Sequence, residues 1–146
     1  MTDSGTYLRL EIAGANYLLP STAGFTIEQR ENLTLNDSAA GNIAAWRPAK
    51  NGRWPAYGLG GDLRVDRRGA WQRAVFLDAA PHAVGIALNE AQLLPRLETS
   101  VARFTPMGPP PTRAGHLFSG AWLTDKGVVL VLEPKALIAY LQGLGE

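Results

Sequence analysis

The chain has no cysteine. Disulfides and thiolate metal sites are therefore excluded, and a reducing compartment is permitted. Histidine is scarce as well, with only His82 and His116. A zinc site needs more ligands than two histidines far apart in sequence. No apolar run approaches the ~20 residues that cross a bilayer as a helix. The first residues, Met1 to Thr6, have neither a basic start nor an apolar stretch, so no secretory leader is visible. The expectation from these absences is a cytoplasmic protein with no direct membrane insertion. Without secretion, Asn32-Leu33-Thr34 and Asn36-Asp37-Ser38 are chance matches to the glycosylation pattern. Charge is also sparse, at 18% against 46% hydrophobic residues, the opposite of a disordered composition.

What is present is turn chemistry. Sixteen Gly and ten Pro in 146 residues suit many short strands joined by tight turns. The length predicts one domain with a real core, and no composition break divides it. We place that domain at residues 7–142.

Leu8, Leu10 and Ile12 alternate with Tyr7, Arg9 and Glu11, the period-2 pattern of a strand with one buried face. Ala13-Gly14-Ala15-Asn16 is a turn, and Tyr17 to Leu19 returns as a hairpin partner. Phe25 and Ile27 begin a third strand. Residues 28–42 are polar and read as a long loop. Ile43 to Trp46 is a short strand, and residues 47–52 a turn around Asn51-Gly52. Trp54 to Leu59 is a strand whose Pro55 predicts an edge or a strand start. Asp66-Arg67-Arg68-Gly69 is a turn. Ala74–Leu77 and Ala83–Leu88 are strands around Ala80-Pro81. Residues 105–115 hold too many prolines for a regular element. The tail reads strand, turn, strand and one helix near 134–142, with Leu137, Leu141 and Leu144 on one stripe. The expected core includes Leu10, Ile12, Leu19, Val75, Leu77, Ile86, Leu130 and Leu132. A buried leucine such as Leu130 would cost about 2–5 kcal/mol on truncation to Ala.

No catalytic constellation stands out. Ser119, His116 and Asp125 supply triad residue types, but nothing flanks Ser119 as a nucleophile elbow would. Gly58-Leu59-Gly60-Gly61 lacks the Lys-Ser/Thr of a phosphate loop and the helix that should follow. Pro109-Pro110-Pro111 reads as a stiff connection rather than a polyproline ligand. We therefore expect no enzyme activity, no cofactor and no metal.

Charge is uneven. Residues 47–73 carry seven cations against two carboxylates, a local excess of +5 in a chain of net +1. Trp46, Trp54 and Trp71 lie in or beside this segment. Interleaved aromatics and cations grip single-stranded nucleic acid by stacking and phosphate pairing. Trp and Arg are equally the residues that anchor protein interfaces. Composition leaves both readings open.

The order of these elements resembles the CheW-like adaptor family of bacterial chemosensory systems. The resemblance rests on Tyr17-Leu18-Leu19-Pro20, on Trp54-Pro55-Ala56-Tyr57-Gly58-Leu59, on Val84-Gly85-Ile86, and on the strand, turn, strand and helix of residues 117–141. It departs from the family pattern where Asn-Leu-Arg-Gly is usual. Pro48-Ala49-Lys50-Asn51 or Ala45-Trp46-Arg47-Pro48 stands there, keeping a basic residue without the glycine. Gly58 replaces an Asp, and Gly24 and Thr26 stand where Val and Glu are usual.

The resemblance implies an all-β fold with a C-terminal helix, built as two small five-stranded SH3-like barrels sharing one core. It implies a non-catalytic scaffold that couples a chemoreceptor of the methyl-accepting type to a CheA-type histidine kinase, in a chemotaxis or pilus-motility pathway, and no nucleic acid. The alternative is a small β-barrel that binds single-stranded nucleic acid through residues 46–73. The expected protein contact patch is Arg47, Lys50, Arg53, Trp54 and Tyr57, with Phe25 as a second edge.

Overall fold

The computed structural model describes residues 2–3, 6–38, 41–50, 52–66, 69–94, 101–105 and 107–145. The strands are β1 (Thr2–Asp3), β2 (Tyr7–Ile12), β3 (Ala15–Pro20), β4 (Phe25–Gln29), β5 (Thr34–Leu35), β6 (Ile43–Ala49) and β7 (Gly52–Gly58). They continue with β8 (Arg73–Ala79), β9 (His82–Leu88), β10 (Glu90–Leu94), β11 (Val101–Arg103), β12 (Phe118–Thr124) and β13 (Gly127–Leu132). Among the described residues one α-helix, α1 (Pro134–Leu144), follows β13.

The strands form a seven-stranded sheet in the order β1-β11-β12-β13-β3-β2-β10 and a six-stranded sheet in the order β4-β8-β9-β7-β6-β5. Each sheet follows one plan. Two antiparallel hairpins, β2–β3 with β12–β13 and β6–β7 with β8–β9, meet through a single parallel contact. That contact is β13 with β3 in the first sheet and β7 with β9 in the second. The five strands expected per unit are exceeded by short additions, β1 and β11 in one sheet and β5 in the other.

The core sits between the sheets. Leu8, Leu10 and Ile12 of β2 meet Val75, Leu77 and Ile86 of β8 and β9, with Leu137 and Leu141 of α1 packed among them. Each sheet also buries a second face. Ala74 and Phe76 join Trp71, Ala45 and Ala56 in one satellite cluster. Tyr7, Leu18, Val101 and Val131 form the other. This arrangement is the shared core with two flanking units that the resemblance implied.

Several local expectations need correction. Residues 28–42 are not one loop: β4 runs to Gln29, a 3-10 turn covers Arg30–Asn32, and β5 follows. Polar composition misled because these strands are short and mostly exposed. Pro55 lies in a strand with neighbours on both sides, not at a sheet edge. It is tolerated because the β7–β9 ladder begins only at Ala56, one residue later. Leu130 is only partly buried, and Leu132 two residues on is fully buried. The other seven expected core residues are buried. Asn51, Arg67 and Arg68 of the expected turns lie outside the described residues, as does Pro106 of the proline-rich connection.

One glycine is dictated by packing. Gly85 lies directly opposite Phe76, and a Cβ there would sit 2.8 Å from the ring. Gly85→Ala is expected to lower stability by about 1–3 kcal/mol through overpacking. Leu132→Ala should cost about 2–5 kcal/mol and Leu130→Ala clearly less. Denaturant unfolding of the three variants measures these values. Equal losses at 130 and 132 would contradict the burial difference.

Candidate functional site: a hairpin of stacked arginine and tryptophan

The hairpin β6–β7 concentrates the basic segment. Its register places Arg47 opposite Trp54, Pro48 opposite Arg53, and Trp46 opposite Pro55. Side chains alternate, so the two faces of the hairpin differ. On one face the Arg53 guanidinium lies 3.8 Å from the centre of the Trp46 ring. On the other, Arg47 lies 5.3 Å from Trp54 and 5.6 Å from Phe76. A third pair stands nearby, Arg30 over Trp71 at 4.5 Å. Each arginine is attracted to the negative face of its ring.

Arg47 has a further partner. Its Nε lies 3.3 Å from Glu28 Oε1, with both side chains about three-quarters covered. Glu28 belongs to β4, at one end of the second sheet's strand order, and Arg47 to β6, next to the other end. The pair therefore draws the two sides of the sheet together, and Arg47 is a structural residue before it is a contact. No spacing in the sequence signals this partner, because only sheet curvature brings Glu28 and Arg47 together.

The remaining expected contacts separate. Lys50 and Arg53 are exposed at and beside the hairpin tip, and neither forms an ion pair among the described residues. Trp54 is partly buried against the cluster around Phe76. Tyr57 is 4% exposed and belongs to the shared core, so it is a core ring and not a surface contact. Its position on the core face of β7 follows from the alternation with Ala56. Phe25 is half-buried against the same core, opposite Leu77.

Beside the hairpin, the glycine-rich stretch after β7 folds into a tight loop. Gly60 N–H donates to the Arg64 carbonyl at 2.8 Å, and Asp66 N–H donates to Gly58 at 2.8 Å. Amides used in this way cannot cradle a phosphate. Two tyrosines pin the loop from outside its sheet. Tyr17 Oη, from β3, donates to the Gly61 carbonyl, and Tyr140 Oη, from α1, donates to Leu63 at 2.6 Å. Burial, then the nearby Asp62 charge, raises both phenols above their usual value.

The triad residue types do not assemble. Ser119 lies near the start of β12 and Asp125 in the turn just past its end, about 20 Å away along the extended strand. Among the described residues no group of three or more His, Asp or Glu could hold a metal ion. No helix among them is long and apolar enough to cross a membrane.

No family model matches the chain, and no curated protein matches it by sequence. Among solved structures it is similar to the crystal structure of the scaffolding protein CheW from Thermoanaerobacter tengcongensis. The two share 14% identity with a TM-score of 0.59, over 91% of this chain and 86% of that one. The chain has a CheW-like fold.

Two measurements test the geometry. Arg47→Ala should lose about 1–2 kcal/mol, for two ring contacts and a partly buried ion pair, and Arg53→Ala about 0.5–1 kcal/mol. Equal, negligible losses would remove Arg47 from the framework. The raised tyrosines favour the neutral phenol in the folded state. Their contribution is complete below the ordinary value of 10.0 and is lost as pH rises through the raised folded values. Tyr17→Phe with Tyr140→Phe should therefore show a flatter loss of stability than the parent chain as pH rises past 10.0.

Proposed function

We propose that this chain is a bacterial, cytoplasmic, non-catalytic scaffold that couples a chemoreceptor to a CheA-type histidine kinase, in a chemotaxis or pilus-motility-type pathway. The observation that carries the reading is the CheW-like fold across 91% of the chain. A scaffold acts through surfaces, and the β6–β7 hairpin offers one whose residue types suit an interface. Lys50 and Arg53 present charge, Trp54 presents part of a ring, and Arg47 holds that ring in place. Stacking on Trp46 restrains Arg53 while leaving the edge of its guanidinium for a partner's carboxylate. Phe25, half-buried on β4, is a separate second edge of the proposed surface.

The nucleic-acid reading loses its stacking platform. Trp46 and Trp71 are 9% and 6% exposed, and each lies under an arginine. A base needs an open ring face. Charge and the partly exposed Trp54 ring are what that reading keeps.

The test uses the double variant Lys50→Glu and Arg53→Glu, which spares the Arg47 framework. It should melt within a few degrees of the parent chain. Its binding to a kinase or receptor fragment from the same cell should weaken about tenfold or more, because like charges then face each other. Full binding by the folded variant would move the interface elsewhere. Failure of the parent chain to bind either fragment would reject the adaptor role. Retention of the parent chain on single-stranded DNA, falling steeply with salt, would favour the nucleic-acid reading.

A further inference from the structure

The proline-rich connection between β11 and β12 curls around a pocket of about 360 Å3. Phe104 and Thr105 at its start, Pro111 in its middle, and His116, Leu117 and Phe118 at its end all line the space. Prolines 109–111 keep the connection out of the sheet, since proline has no N–H to pair. The connection is nevertheless fixed at several points. Phe104 N–H donates to the Ser119 carbonyl at 2.9 Å, and Glu133 N–H donates to the Leu117 carbonyl at 2.8 Å. The Thr112 hydroxyl donates to the Gly115 carbonyl at 2.6 Å, and Arg113 donates to Gln142 of α1 at 3.0 Å. The pocket is therefore present before any ligand arrives, which lowers the ordering cost of binding.

Its lining is aromatic and uncharged. Phe104 is 44% exposed although its backbone is held in place. Phe118 stacks in parallel with Tyr17, their ring centres 6.2 Å apart, and rests with Leu117 against the shared core. Among the described residues no carboxylate, lysine or arginine lines the pocket. Two polar side chains do, the Thr105 hydroxyl and the His116 imidazole, and neither has a hydrogen-bond partner among the described residues. Rings attract rings beyond the area they bury, and a hydroxyl or an imidazole nitrogen can accept one hydrogen bond. A charged ligand would find no counter-charge here. The volume lies at the bottom of the ligand-pocket range. A peptide helix or strand spreads its contacts along a groove, whereas six residues here enclose space for one ring system.

We infer that this pocket binds a small, neutral aromatic molecule carrying one hydrogen-bond donor, with its ring against Phe104, Pro111 and Phe118 and its donor on His116 or Thr105. The inference is independent of the adaptor reading, since the pocket lies beside the first sheet and the basic hairpin belongs to the second.

The experiment is an amide-shift titration of the full chain by NMR. The probes are indole, 1-methylindole, cyclohexanol and N-acetyl-tryptophanamide. Indole should give saturable shifts at the Phe104, Leu117 and Phe118 amides, half-complete at about 1 mM or below. 1-Methylindole keeps the rings and lacks the donor, so it should bind about threefold or more weakly. Cyclohexanol keeps a donor and lacks the aromatic ring, so it should not saturate in that range. Phe104→Ala should weaken indole about tenfold while the melting temperature stays nearly unchanged, because the ring is largely outside the core. Phe104→Leu, which keeps an apolar side chain, carries the same test should the first variant misfold. Thr105→Val with His116→Leu should bind indole no better than 1-methylindole. Four results overturn the inference: no saturable shift with indole, cyclohexanol binding as tightly as indole, folded Phe104 variants that bind as the parent does, or N-acetyl-tryptophanamide binding more tightly than indole. The last would assign the pocket to a protein side chain instead of a free molecule.

Discussion

The rest of the fold depends on the hairpin β8–β9 burying both of its faces. Val75 and Leu77 point to the core between the sheets, while Ala74 and Phe76 point to the cluster inside the second sheet. A strand covered on two sides tolerates little change in volume. Gly85 is the clearest consequence, since the Phe76 ring occupies the space its side chain would take. The same strands receive α1, which leaves the first sheet at Leu132 and packs Leu137 and Leu141 into the shared core. The sheets, the helix and the Tyr17 and Tyr140 hydroxyl bonds therefore hold one another.

On that frame the basic segment is divided in use. Arg47 is spent inward, on Glu28, Trp54 and Phe76. Arg53 and Lys50 remain outward. Covering a tryptophan with a guanidinium keeps a large ring at the surface without an open apolar patch, and it holds the cation in one place. An adaptor surface benefits from both effects. Fewer side-chain conformations are lost on docking, and unspecific association through bare rings is limited.

Much of the architecture was legible from short-range pattern. Leu8, Leu10 and Ile12 in β2, and Val75 and Leu77 in β8, alternate because a pleated strand puts every second residue on one face. Ala13 and Gly14 have positive φ of 49° and 87°, as a two-residue hairpin turn requires. Pro134 and the leucine stripe marked α1. β4 was legible only at its start, and β5, β10 and β11 not at all. Exposed, short strands carry polar residues at most positions, and their pairing is set by neighbours distant in sequence.

The candidate site was legible as composition and not as geometry. Arg47, Lys50, Arg53, Trp54 and Tyr57 stand close in sequence, and Arg53 and Tyr57 even share a face of β7, yet Tyr57 is covered by the core while Arg53 near the tip stays outside. The side to which each residue turns depends on which face the opposite sheet covers, a tertiary fact. Sequence by itself determined most of the longer strands, their turns, the C-terminal helix and the concentration of charge, because these follow from periodicity and backbone chemistry within a few residues. Only the tertiary structure decided that Arg47 meets Glu28 and that Leu132 rather than Leu130 is fully buried. Each of those depends on strands far apart in the chain lying side by side, and no local pattern records which strands those are.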